Sequence, residues 1–163
     1  MRAYLGIDNG VSGSIALLVD GKALFVPTPT RTEKSYTKSA AKITRIDFEE
    51  LNARLLAWRH LSSEIHGIIE RPYVNPKGFK ATVSALRSLE ATLIGLEMNG
   101  VSYEYIDSKV WQKAMLPGVS GADLKSASRD VGIRLFPGLR EEIGEHKDAD
   151  SLLIAEWARR SGI

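Results

Sequence analysis

Three acidic side chains stand where a carboxylate is costly to place. Asp8 follows the apolar run Tyr4-Leu5-Gly6-Ile7 and precedes a glycine-rich turn, Asn9 to Gly13, and a second apolar run, Ser14 to Leu18. This pattern reads as a β-hairpin with Asp8 inside the sheet. Desolvating an isolated carboxylate is expensive unless a partner or a cation offsets it. Asp8 is therefore either hydrogen-bonded to the turn amides of Gly10 and Gly13 or a metal ligand. Glu70 closes a second apolar run, Ile65-His66-Gly67-Ile68-Ile69, which reads as a buried parallel strand ending at the edge where open α/β sheets place their ligands. An ion pair with Arg71 is disfavoured, because adjacent strand residues point to opposite faces. Asp150, with Asp148 paired to it at the start, stands in a strongly helical run from Asp148 through Ala158 and is the third. Three carboxylates at one point repel one another strongly. Two divalent ions at ~4 Å separation would relieve that repulsion and create a phosphodiester-cleaving site. With no Cys in the chain, a thiol nucleophile and Cys-ligated zinc are excluded, and oxygen and imidazole ligands point to Mg²⁺ or Mn²⁺.

The elements that must position these acids follow from periodicity and turn chemistry. The 163 residues suit a single domain spanning 1–163, with 44% apolar and 26% charged residues, as in an ordinary globular protein. Strands are expected at the first run, at Ser14 to Val19 and, after the tight turn Asp20-Gly21-Lys22, at Ala23 to Pro27. Thr28 to Thr44 lacks apolar periodicity and reads as a mobile loop. Asp47 is a good N-cap for an amphipathic helix to about His60, with Phe48, Leu51, Leu55 and Trp58 on one face. After the strand ending in Glu70 come a turn-rich loop, Tyr73 to Lys80, and a long helix, Ala81 to Met98. The apolar residues of that helix spread round it, which predicts burial on more than one side, by a dimer partner or by a neighbouring helix. A strand at Val101 to Ile106 and a short helix capped by Asp107 or Ser108 follow. A helix at Ala122 to Gly132 carries Lys125 and Arg129, and Leu135-Phe136-Pro137 ends that unit. Arg140 to Lys147 is charged and poorly periodic. The expected fold class is α/β, a central mixed five-stranded sheet flanked by helices, with the first and fourth strands adjacent and the last helix bringing Asp150 to both.

Taken together, Gly6-Ile7-Asp8-Asn9-Gly10 with Gly13, Ile68-Ile69-Glu70, and Asp150-Ser151-Leu152-Leu153-Ile154-Ala155-Glu156-Trp157 resemble the RuvC family of Holliday junction resolvases, in its shorter phage-type branch. Lys109-Val110-Trp111-Gln112-Lys113 and Leu135-Phe136-Pro137 resemble further segments of that branch, so the resemblance covers nearly the whole chain. It implies an RNase H-like fold, a homodimer, and Mg²⁺- or Mn²⁺-dependent symmetric nicking of four-way DNA junctions. On matching positions Asp8 and Glu70 would bind metal, and Asp150 would complete the site. The family adds an Asp or His three residues before the helix acid. That position is Lys147 here, which leaves His146 or Asp148 as the supplementary ligand or proton donor, with helix capping as the other reading of Asp148. Tyr73 matches a loop aromatic that inserts at the junction centre, where stacking on a base is worth ~1–3 kcal/mol; otherwise it covers the core as a strand-end aromatic. Lys77, Lys80, Lys113 and Lys125 would meet phosphates, Lys125 matching a family position best, or be merely solvated.

Charge agrees only locally with a nucleic-acid partner. The net charge is +2, from 22 Lys+Arg against 20 Asp+Glu, but Arg31, Lys34, Lys38, Lys42 and Arg45 share one segment with the single acid Glu33. No signal peptide opens the chain and no apolar run is long enough to span a bilayer, so a cytoplasmic protein is expected. The rival readings are another RNase H-like nuclease acting on flaps or RNA–DNA hybrids, an actin-like or sugar-kinase-like phosphotransferase suggested by the Gly-rich turn, and a non-catalytic module of the same fold. The phosphotransferase needs a second lobe and a second Asp-x-Gly strand motif, for which this chain has neither room nor residues. A non-catalytic module would have lost one of the carboxylates.

Overall fold

Short apolar runs broken by turn residues build one five-stranded sheet in the order β3-β2-β1-β6-β7, from β1 (Arg2–Asp8), β2 (Ser14–Val19), β3 (Lys22–Pro27), β6 (Glu64–Glu70) and β7 (Ser102–Ile106). The computed structural model describes residues 2–38 and 41–163. The expectation of a chain running from Met1 directly into a strand is met from Arg2 onward, Met1 lying outside the described residues. Strands β1, β2 and β3 are antiparallel, with Asp8 opposite Ser14 and Ser14 opposite Pro27. Strand β1 runs parallel to β6, and β6 parallel to β7. The last β1–β6 pair is Ile7 with Ile69, so Asp8 and Glu70 each follow it at the same edge of the sheet.

Alternation along the strands sends side chains to two cores. On one face Leu5, Ile7, Leu17 and Ile69 pack with Leu51, Leu55 and Trp58 of α1 (Phe48–Arg59) and Leu96 of α2 (Phe79–Met98). On the other, α6 (Asp150–Ser161) lies across β1 and β2, with Leu152, Leu153, Ile154 and Ala155 fully buried. The same face holds α3 (Ser108–Met115), with Trp111 fully buried, and α4 (Leu124–Leu135). Helix α6 sits close because Gly6 has no side chain: a Cβ there would lie 2.0 Å from the Ser151 carbonyl oxygen and 2.7 Å from the Ala155 nitrogen. A buried hydrogen bond from Ser14 Oγ to Ser151 Oγ (2.8 Å) ties β2 to the same helix.

Several sequence expectations need correction. The segment read as a mobile loop forms a separate two-stranded hairpin, β4 (Thr30–Lys34) with β5 (Lys42–Ile46), in which Thr32 faces Thr44 and Lys34 faces Lys42. Its strands carry just two apolar residues, Ile43 and the buried Ile46, three positions apart, so no period-two alternation announced them; the Ser39 and Ala40 part of that expectation lies outside the described residues. The charged stretch after Arg140 holds a short helix, α5 (Arg140–Glu145), pinned by the fully buried Ile143. Helix α4 runs three residues beyond Gly132, and α6 starts at Asp150 rather than Asp148. Helix α2 begins at Phe79 and is buried along one side only within the chain: Phe79, Val83, Leu86, Ile94 and Met98 are exposed. The helix after Asp47 behaves as expected, the Asp47 carboxylate accepting from the Glu50 amide at 3.3 Å. Asp107 precedes α3 but makes no side-chain cap; it pairs instead with Arg71 at 3.0 Å. No described helix is long and apolar enough to cross a membrane.

Candidate active site

Three elements deliver acids to one end of the sheet. Asp8 ends β1, Asp150 opens α6, and Asp148 precedes α6 by two residues. One ligand oxygen of each lies within 4.8 Å of the others. The Asp8–Asp150 approach depends on Gly6, which lies on the same face of β1 as Asp8 and admits the first turn of α6. Gly13 tightens the turn above Asp8: its amide donates to the Gly10 carbonyl at 3.1 Å, and a Cβ at Gly13 would lie 1.9 Å from the Asp8 carbonyl oxygen.

Asp148 is wholly buried and the most heavily surrounded of the three. Lys125 Nζ lies 3.5 Å and Lys147 Nζ 3.7 Å from its Oδ2, and His146 Nε2 lies 3.9 Å from its Oδ1. Its Oδ1 also accepts from the Asp150 amide at 3.3 Å, so one carboxylate serves the helix start and faces the site at once. Asp150 accepts a short hydrogen bond from Ser128 of α4, and Ser128 Oγ in turn accepts from the Ala149 amide at 3.1 Å. Glu70 stands apart from this tight group. Its Oε2 accepts from the indole N–H of Trp111 at 2.6 Å.

The electrostatics are those of a crowded, half-dry acidic site. Burial pushes the Asp8 carboxyl well above the usual carboxylate range, and Asp150, Asp148 and Glu70 push it further. Burial and then Asp148 raise Asp150 to about 6, against the hydrogen bond from Ser128 and the charges of Lys125 and Lys147. Glu70 is raised by burial, while the Trp111 hydrogen bond opposes the rise. Burial holds His146 below its ordinary value despite Asp148, and its Nε2 has no hydrogen-bond partner. Hard oxygen donors that raise one another's pKa values suit a hard divalent cation, which would offset their mutual repulsion.

Each residue singled out in the sequence now has a place. The expected grouping of Asp8 with Asp150 is present, and Asp148 joins them. His146 lies outside α6, with an extended backbone (φ −97°, ψ 164°) four residues before that helix begins, and the connecting segment brings its Nε2 to 3.9 Å from Asp148 Oδ1. Tyr73 is 81% exposed rather than covering the core. It stands at the lip of a groove of ≈ 360 Å³ that Asn9, Glu70, Asn75 and Ala85 also line. Lys77, Lys80 and Lys113 are exposed, with no acidic partner among the described residues, whereas Lys125 reaches the acids. Three residues assigned no role from the sequence hold the site: Trp111 behind Glu70, Ser128 behind Asp150, and Lys147, which lies 3.4 Å from Ser12 Oγ as well as near Asp148. A buried tryptophan inside the quoted segment from Lys109 to Lys113 was the available signal for the first. A larger concavity of ≈ 550 Å³ lies around Arg2, Tyr4, Phe136 and Arg159, away from these acids.

A mixed sheet with three antiparallel strands and two parallel ones, crossed by a terminal helix and carrying acids at one end, defines an RNase H-like fold. Among solved structures the chain is similar to RuvC of Thermus thermophilus in complex with a Holliday junction substrate, with TM-score 0.56 and 14% identity over 99% of this chain and 97% of that one. A second Thermus thermophilus RuvC structure gives TM-score 0.50 and 16% identity over 98% and 96%. No family model and no curated protein matches the sequence.

Proposed function

We propose that the protein is an endonuclease that resolves four-way and related branched DNA junctions by paired symmetric nicks leaving 5′-phosphate ends, acting as a cytoplasmic homodimer. The observation that carries this reading is the convergence of Asp8, Asp148 and Asp150 within 4.8 Å at one end of a RuvC-like sheet, with Glu70 at the end of the neighbouring strand. Asp8, Glu70 and Asp150, joined by Asp148, would hold two Mg²⁺ or Mn²⁺ ions. Bound there, the metals would activate an attacking water and stabilise the leaving oxygen. The chain's own residues do the rest. Trp111 orients Glu70, and Ser128 orients Asp150. His146, whose pKa burial lowers, presents an Nε2 with no hydrogen-bond partner 3.9 Å from Asp148 Oδ1, where it would take or return a proton. Lys125 and Lys147 balance the acids and meet the scissile strand's phosphates.

Substrate selection belongs to the surroundings. Tyr73, exposed at the groove beside Glu70, stacks on a base at the opened junction centre, and Lys77, Lys80 and Lys113 contact the DNA backbone. The exposed apolar side of α2 pairs two copies, setting two sites for the two nicks. The test is incubation of the protein with Mn²⁺ and labelled four-way junction, flap, linear duplex and RNA–DNA hybrid. Symmetric cleavage of the junction in preference to the others is expected; preference for the hybrid would replace a resolvase by a ribonuclease H activity, and preference for the flap by a flap nuclease.

A further inference from the structure

We propose that the solvent face of the β4–β5 hairpin is a second DNA contact, gripping the backbone of a duplex arm beside the active site; the proposal rests on the nuclease reading. In an antiparallel pair, directly opposed residues lie side by side on one face. One face of this hairpin carries Thr32 opposite Thr44, their hydroxyls 3.0 Å apart, and Lys34 opposite Lys42, and all four residues are exposed. Neither lysine has an acidic partner among the described residues. The hairpin's only acid, Glu33, is on the opposite face, held by Arg45 at 3.1 Å and Arg31 at 3.4 Å. Two cations placed directly opposite each other cost stability, and phosphate oxygens would offset that cost. Paired hydroxyls and ammonium groups without an acid among them are the donor set that meets a nucleic-acid backbone.

Position and rigidity fit the same role. Pro27, at the base of the hairpin, is paired to Ser14, and Ser14 to Asp8, which sets that base roughly 10 Å from Asp8 across two strand spacings. The Thr28 amide donates to Gly13 at 3.0 Å and the Asp47 amide to Pro29 at 2.9 Å, fixing both legs of the hairpin at the active-site end of the sheet. Arg87 of α2 then holds the far end, donating to Tyr36 Oη at 2.8 Å and to the Thr44 carbonyl at 3.1 Å. A basic ledge anchored at both ends meets a duplex without first having to be ordered.

The test is the salt dependence of binding to a fluorescent four-way junction in EDTA, for the 163-residue protein and its Lys34→Gln/Lys42→Gln and Lys34→Arg/Lys42→Arg variants, with melting temperature as the folding check. Each phosphate neutralised contributes ~0.9 to the slope of log K against log salt. The Gln pair is therefore expected to bind more weakly, with a slope smaller by about 2, while the Arg pair keeps the wild-type slope. An unchanged slope in the Gln pair, with wild-type binding intact, would overturn the hairpin proposal alone and leave these as solvated edge lysines. So would a change in oligomeric state at unchanged slope, which would make the face a contact between copies. Failure of the wild-type protein to bind any junction would overturn the nuclease reading and this proposal together.

Discussion

Asp150 combines a raised pKa of about 6 with a hydrogen bond from Ser128, and both have measurable consequences. Between its ordinary value of 3.8 and about 6 the folded protein binds the extra proton, so this group stabilises the metal-free fold fully below pH ~4 and ceases to do so as pH rises through 6. Asp150→Asn, which keeps an acceptor for Ser128, should leave stability in EDTA unchanged at low pH and raise it by up to about 3 kcal/mol at neutral pH, read from denaturant unfolding at both. Wild-type affinity for Mn²⁺, measured by calorimetry, should rise steeply across the same range, because the metal must displace that proton. Trp111 is the clearest test of support behind the acids. Trp111→Phe keeps the buried ring but removes the donor to Glu70, and should lower Mn²⁺ affinity by about 10–100-fold with little change in melting temperature.

Helix α6 depends on a single missing methyl. Gly6→Ala would drive a Cβ into the backbone of Ser151 and Ala155, and should cost about 3 kcal/mol or more in equilibrium unfolding, with junction cleavage falling in parallel as Asp150 leaves Asp8. Elements of this kind divide by how plainly the sequence announces them. The five strands of the sheet, the helix capped by Asp47 and the last helix were legible because burial imposes a period of two or 3.6 on apolar residues. Hairpin β4–β5 was not, since its two apolar residues, Ile43 and Ile46, stand three apart among Thr, Arg, Glu and Lys and set no such period, and its register comes from cross-strand pairs. The carboxylates Asp8, Glu70 and Asp150 stood out as acids in apolar runs. Their supports did not: Ser128 and Trp111 occupy ordinary helical positions, and only tertiary packing aims them at the site.

At the scale of the whole molecule, α2 leaves Phe79, Val83, Leu86, Ile94 and Met98 exposed along one side of the helix, with Glu90 and Glu97 among them. Leu86→Asp with Ile94→Asp should shift sedimentation from dimer to monomer and turn paired junction cuts into single nicks. The N-terminal end of that helix continues from the Tyr73 loop and its second turn holds Asn9 through the Ala85 carbonyl, so the proposed pairing face and the groove beside Glu70 lie on one element. The most direct measurement of the central claim compares wild type with Asp8→Asn on a labelled four-way junction in Mn²⁺, reading binding by gel shift and cleavage on denaturing gels. Wild type should cut symmetrically, and Asp8→Asn should bind the junction with similar affinity yet cut no more than metal-free protein. Equal cleavage by the variant would contradict that claim.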